Sequence, residues 1–175
     1  MQKITPTMTT LLLVRHGETF DNANQIMQGQ SQGELNEKGI EQARETRDKL
    51  RHEPIDVLMS SDLKRAIDTC RIIAEPHGKP VVETPLLRER DWGSFTGRFI
   101  PDLKGLEWPD DIETTEQMYG RGKQFLAWIR SHYDGQTLLV VGHGIINRVL
   151  LSIVSGKPMN EIEKMQNAEV RMLDV

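Results

Sequence analysis

The sequence predicts an α/β fold: a three-layer α/β/α sandwich with a mainly parallel central sheet. Three observations carry this. The apolar runs Leu11–Val14 (LLLV) and Thr137–Val141 (TLLVV) lack polar alternation, which is how strands buried on both faces of a parallel sheet read. Both runs break abruptly into polar residues and glycine, as RHG and GHG. Segments of helical spacing lie between the strand-like runs, and such alternation implies crossovers that lay helices on both faces of the sheet.

Taken in order, the first strand breaks at Arg15, His16 and Gly17. In open α/β sheets ligands bind beyond the carboxyl ends of the strands, so these residues should face a pocket. Gly17 would turn the chain without filling that pocket. Residues 19–35 are polar, carry Gly29 and Gly33, and have the composition of a loop. Asn36 caps a helix running to Arg51, with Ile40, Ala43 and Leu50 on its apolar face. Asp56–Met59 is a second strand. The stretch SSDLKRAIDTCRIIAE (60–75) follows as a helix with serine caps and an early Asp62 at its positive end. It places Arg65 one turn in, and Leu63, Ala66, Ile67, Cys70 and Ala74 at helical spacing, which makes Cys70 a core residue.

Pro80–Glu83 is a third strand, and 84–113, with Pro85, Pro101 and Pro109, is a long irregular region of functional expectation. Thr114 and Gln117 form a capping box for a helix to about Arg130, whose face carries Met118, Phe125, Leu126 and Ile129. After the TLLVV strand, IINRVLLSIVS is a helix stopped by Gly156, and Glu169–Val175 alternates like an edge strand.

The length suits one domain, 9–175, behind a loose leader 1–8 in which Met8 is a candidate alternative start. Apolar residues make up 37% and charged residues 27%, and no run approaches a membrane span or a signal-peptide core. A cytoplasmic protein without a membrane partner is expected. The net charge of −4, with no Lys/Arg cluster against it, argues against a nucleic-acid partner. A single cysteine excludes an internal disulfide and, with no ligand pair nearby, a thiolate zinc site.

If the strands are neighbours and parallel, Arg15, His16, Arg65 and His143 converge in one crevice, an oxyanion site by charge. Arginine forks match phosphate oxygens, and two can spread over the equatorial oxygens of a transferring phosphoryl group. Plainer readings stand beside this one. The two histidines could be ordinary strand-end residues, Arg65 could pair with Asp62 or Asp68, and Glu89 in RERD could be one charge of a solvated run. His52, His77 and His132 read as surface residues.

Four stretches, in order, resemble the motifs of the histidine phosphatase superfamily, the phosphoglycerate mutase-like proteins: RHGET with Asn22, SSDLKRA, LLRERDWGSFTG and VVGHG. The resemblance runs from about Thr10 to the end. It implies the phosphoglycerate mutase-like fold and assigns roles residue by residue. His16 would be the nucleophile that forms phosphohistidine. Arg15, Arg65 and His143 would bind the phosphoryl oxygens, helped by Asn22, with Gln28, Gly29 and Gly144 beside the substrate. Glu89 would protonate the leaving oxygen and then take a proton from water. The chemistry is consistent with these roles: a nucleophilic histidine must be neutral, with its other nitrogen held by a hydrogen bond. A carboxylic acid working near neutral pH needs a raised pKa, which Trp92 and Phe95 could supply in part. The resemblance implies no metal and no cofactor, and a small phosphoester and inorganic phosphate as partners.

The mutases carry a basic substrate clamp where this chain has Trp92, Ile100 and the acidic stretch Glu107–Glu113, so a substrate carboxylate finds no obvious partner. Gln32 and Glu34 stand where many relatives have aspartate and proline. The shortened insert, with Phe99, Ile100, Leu103, Leu106 and Trp108, forms either an apolar rim or a small lid core. Arg88, Arg90, Arg98 and Arg121 have no assignable role. These departures favour a metal-independent phosphomonoesterase. A mutase-type isomerase, a phosphohistidine or phosphoprotein phosphatase, and a non-catalytic phosphoryl-binding module remain alternatives.

Overall fold

The computed structural model describes residues 7–175, so most of the expected leader lies outside the described residues. The strands are β1 (Thr10–Arg15), β2 (Val57–Ser61), β3 (Val81–Thr84), β4 (Thr137–Gly142) and β5 (Val170–Asp174). The helices are α1 (Phe20–Ala23), α2 (Glu37–Lys49), α3 (Lys64–Ala74), α4 (Ile100–Leu103), α5 (Thr115–His132) and α6 (Gly144–Ser155). The sheet order is β3-β2-β4-β1-β5, with β5 alone antiparallel.

Period-2 geometry divides the apolar strands between two cores. Leu11, Leu13, Leu138 and Val140 face Phe125, Leu126, Ile129 and Leu150 of α5 and α6. Leu12, Val14, Leu139 and Val141 face Ala66, Cys70 and Ile73 of α3. Burial on both faces is what removes polar alternation from these strands. Each fully buried side chain of this size stabilises the fold by about 1.5–3 kcal/mol. Cys70 is fully buried, and burial pushes its thiol up to about 12. No described helix is long and apolar enough to cross a membrane.

Most elements lie where the pattern puts them, including the Thr114–Gln117 capping box and the left-handed Gly156 stop. Four details differ. The polar 19–35 segment holds the short α1, capped reciprocally by Thr19 and Asn22. Ser60 and Ser61 do not cap α3: they end β2, and the N-cap is Leu63. The buried face of α2 is Gly39, Ala43 and Thr46, with Ile40 only half-buried. The insert splits, burying Leu103 with Phe95 and Ile112 and leaving Phe99, Ile100, Leu106 and Trp108 exposed.

Candidate active site

β1 and β4 are adjacent and in register, pairing Arg15 with Gly142 at their ends. The ladder continues one residue further, the His16 N–H donating to Gly142 O at 3.2 Å. The next residues, His16 and His143, therefore stand side by side, ring centroids 5.1 Å apart. The condition on which the sequence argument depended, parallel neighbouring strands, is met.

His16 is 3% exposed, and its Nδ1 lies 2.7 Å from Gly17 O. A carbonyl only accepts, so Nδ1 carries the proton and Nε2 keeps its lone pair. Burial first, then the charges of Arg65 and Arg15, hold His16 well below the usual histidine range, so it is neutral. His143 is fully buried, does not contribute to the pocket wall, and is likewise held neutral by burial and by Arg65, His16 and Arg15. Its Nε2 lies 2.6 Å from Ser61 Oγ, which also accepts the Leu63 N–H at 3.3 Å. Among the described residues the Ser61 hydroxyl has no other acceptor, so it donates to Nε2 and leaves Nδ1 as the N–H donor.

The arginines are tethered through terminal guanidinium nitrogens, and among the described residues their Nε atoms are unpaired. Arg15 donates from Nη1 to Met165 O at 2.8 Å. Arg65, 1% exposed, donates from Nη1 to the carbonyls of Ser31 and Gln32 and from Nη2 to Gly29 O. Burial lowers Arg65 to about 10, which leaves it charged. Asp62 and Asp68, its imagined surface partners, pair instead with Arg88 and Lys64. Arg15 Nε, Arg65 Nε and His143 Nδ1 are buried and have no partner among the described residues.

Glu89 is anchored at the N-terminus of α6, Oε2 accepting from the Ile145 N–H at 3.1 Å and Oε1 from Ile146 at 3.3 Å and Arg90 at 2.9 Å. A Cβ on Gly144 would lie 3.6 Å from Arg15 Nε and 3.8 Å from Glu89 Oε2, which places guanidinium and carboxylate against the same short piece of backbone. The chain around Glu89 is held by Arg121 of α5, which donates to the carbonyls of Leu86, Arg88 and Glu89 and to both oxygens of Glu113.

Arg15, His16, Arg65 and Glu89 open on a cavity of about 330 Å³ that Asn22, Gln28, Gly29 and Gly144 also line, with His143 behind its wall. Asn22 gives its Oδ1 to the Thr19 N–H, leaving its NH2 for the pocket. Gln28 Oε1 accepts from Thr19 Oγ1, and the left-handed Gly29 (φ +52°) packs against Trp92 and gives its carbonyl to Arg65. Of the expected apolar flank, Trp92 lines the pocket, whereas Phe95 is buried in the insert. Arg90 lies over the rings of Trp92 and Trp108, at 5.1 and 4.8 Å, and Arg98 over Phe95. Of the histidines expected at the surface, His77 is half-buried. Among the described residues no group of three His, Cys, Asp or Glu could hold a metal ion.

Gly17 has another role than the one its position suggests. A Cβ there would meet Gly39 O of α2 at 2.5 Å, so the residue admits the backbone of α2, while its N–H is held by Thr69 Oγ1 at 3.0 Å. Sequence reasoning missed Ser61, Thr69, Arg148 and Lys164. Ser61 was hidden by reading the serine pair as caps. Arg148 follows GHG at the start of a helix much as Arg65 follows SSD, a parallel that was available.

Neighbouring parallel strands ending in buried histidines, flanked by arginines and a carboxylate, define the class. The chain belongs to the histidine phosphatase superfamily, branch 1, whose signature matches residues 11–175. An uncharacterized phosphatase, PhoE, of Bacillus subtilis is 37% identical, covering 85% of this chain and 79% of its own. A metal-independent phosphoserine phosphatase of Arabidopsis thaliana is 34% identical, covering 98% and 78%. A probable phosphoglycerate mutase, GpmB, of Enterobacter is 35% identical, covering 86% and 77%. Among solved structures, mycobacterial glucosyl-3-phosphoglycerate phosphatase in complex with VO3 superposes with a TM-score of 0.85 at 26% identity, covering 93% and 91%. The phosphatases among these relatives make the chain a hydrolase acting on phosphoric monoesters.

Proposed function

We propose that the protein is a metal-independent phosphomonoesterase acting on a small phosphorylated metabolite through a phosphohistidine at His16. One observation carries the reading: three buried N–H donors without partners among the described residues, Arg15 Nε, Arg65 Nε and His143 Nδ1, accompany a neutral His16 whose Nε2 lone pair bonds no described residue. Buried donors are costly to leave unpaired, so an oxyanion is the group this arrangement fits. His16 Nε2 attacks phosphorus and the bond to the leaving oxygen breaks, that oxygen taking its proton from Glu89. Water then attacks phosphorus and gives a proton to Glu89, and the N–P bond breaks to return the lone pair to Nε2. The products are an alcohol and inorganic phosphate. Arg15 and Arg65 stabilise charge on the transferring group from tethered, preorganised positions, with His143 and Asn22 as further donors. Gln28, Gly29 and Gly144 shape the space around it.

The test is phosphate release from p-nitrophenyl phosphate and small phosphoesters in EDTA, comparing wild type with His16→Ala. Release abolished in the variant, with an acid-labile phosphoenzyme trapped in the wild type, is expected. Release that persists in His16→Ala overturns the proposal. Interconversion of 2- and 3-phosphoglycerate outpacing phosphate release would establish the mutase reading instead.

A further inference from the structure

The wall of this pocket contains two cations that the proposed chemistry does not use. Arg15, Arg65, Arg148 and Lys164 line it against one carboxylate, Glu89, in a chain whose net charge is −4. A phosphoryl dianion matches the first two arginines. Arg148 lies one turn along α6 from Ile145, on the same side of the helix and in the same wall. It donates from Nε to Ile162 O at 3.1 Å and from Nη2 to Met159 O at 2.8 Å, while its Nη1 bonds no described residue. Arg15 holds Met165 O at 2.8 Å. The backbone is thus fastened on both sides of Lys164, which has no ion-pair partner among the described residues. Much of the remaining wall is apolar, through Ile26, Met27, Trp92, Ile100 and Ile145.

We infer that Arg148 and Lys164 form a second anion site, so that the preferred substrates are small phosphomonoesters whose leaving group carries a carboxylate or a second phosphate. This rests on the phosphomonoesterase reading and supplies a partner for a substrate carboxylate. A tethered guanidinium and an exposed ammonium in one pocket wall suit a small anion at the end of a short carbon skeleton.

Equilibrium binding to His16→Ala protein, where turnover is blocked, tests it with two matched pairs. 3-Phosphoglycerate against glycerol 3-phosphate reads a carboxylate; ethylene glycol bisphosphate against 2-hydroxyethyl phosphate reads a phosphate. The anionic member of at least one pair should bind about tenfold tighter, as a charge-assisted contact predicts. Adding Lys164→Glu should abolish or reverse that preference, and raising the salt from 50 to about 500 mM should shrink it. Affinities equal within each pair, or a preference untouched by Lys164→Glu, overturn the inference. The two readings fail separately: p-nitrophenyl phosphate turnover by the unsubstituted enzyme with equal affinities removes only the second site. A Lys164-dependent preference without turnover removes only the hydrolysis.

Discussion

Arg121→Ala tests whether the segment bearing Glu89 is held from a distance. The Arg121 guanidinium donates to Glu113 Oε1 and Oε2 at 2.7 and 2.9 Å, to Leu86 O and Arg88 O at 2.9 Å each, and to Glu89 O at 3.3 Å. The two side chains of the pair are 19% and 12% exposed. Removing one partner of a fully buried pair costs about 3–5 kcal/mol; partial access of water here reduces that to about 2–3 kcal/mol. The activity effect has a signature of its own. Freed of Arg121, the Glu89 segment shifts, and a displacement of about 1 Å in a catalytic group costs on the order of a hundredfold. Alkyl esters need a proton on the leaving oxygen, whereas p-nitrophenolate leaves with far less help. The loss in kcat should therefore be at least about tenfold larger for an alkyl phosphate than for p-nitrophenyl phosphate. Urea unfolding gives the stability term, and steady-state rates on both esters, taken where the variant is folded, give the other. Equal losses on the two esters, or an unchanged urea midpoint, would refute the reasoning.

Stability should also depend on pH in a way set by the histidine pair. Burial, with Arg65 and Arg15 nearby, places both folded-state values well below 6.5, so the unfolded chain binds more protons in acid and stability is lost as pH falls below about 6.5. The melting temperature should drop between pH 7 and 5.5, with a shallower slope in His16→Asn; identical slopes would contradict the assignment. Gly39→Ala offers a sign test. Helix propensity alone makes alanine better by about 1 kcal/mol. A Cβ at Gly39, however, would lie 2.0 Å from Glu18 O, so we expect a loss of about 3 kcal/mol in urea unfolding. A stabilised variant would show that α2 does not press on the chain after His16.

Much of the fold was legible because two periodicities are local properties of the chain. Unbroken LLLV and TLLVV report burial on both sheet faces, and the spacing of Met118, Phe125, Leu126 and Ile129 reports one buried helix face. The polar segments were read less well. Α1 is a single turn held by the Thr19–Asn22 box, too short for periodicity to register. The serines of SSDLKR have the chemistry of caps, and a sequence does not say that a strand runs through them.

What the sequence determined by itself is the family, the sheet with its helical layers, and which side chains bring charge and imidazole to the strand ends. It does so because burial patterning and motif chemistry are written in consecutive residues. What only the tertiary structure decided is how those side chains are held. The tautomer of His16 rests on Gly17 O, that of His143 on Ser61, the anchoring of Glu89 on the N-terminus of α6 and on Arg121, and the basic outer wall on Arg148 and Lys164. Of these contacts, His16 to Gly17 is local in the chain; the hydrogen bonds to Ser61, to α6 and to Arg121 join residues 82, 56 and 32 positions apart, and their energy depends on distances that sequence spacing does not encode.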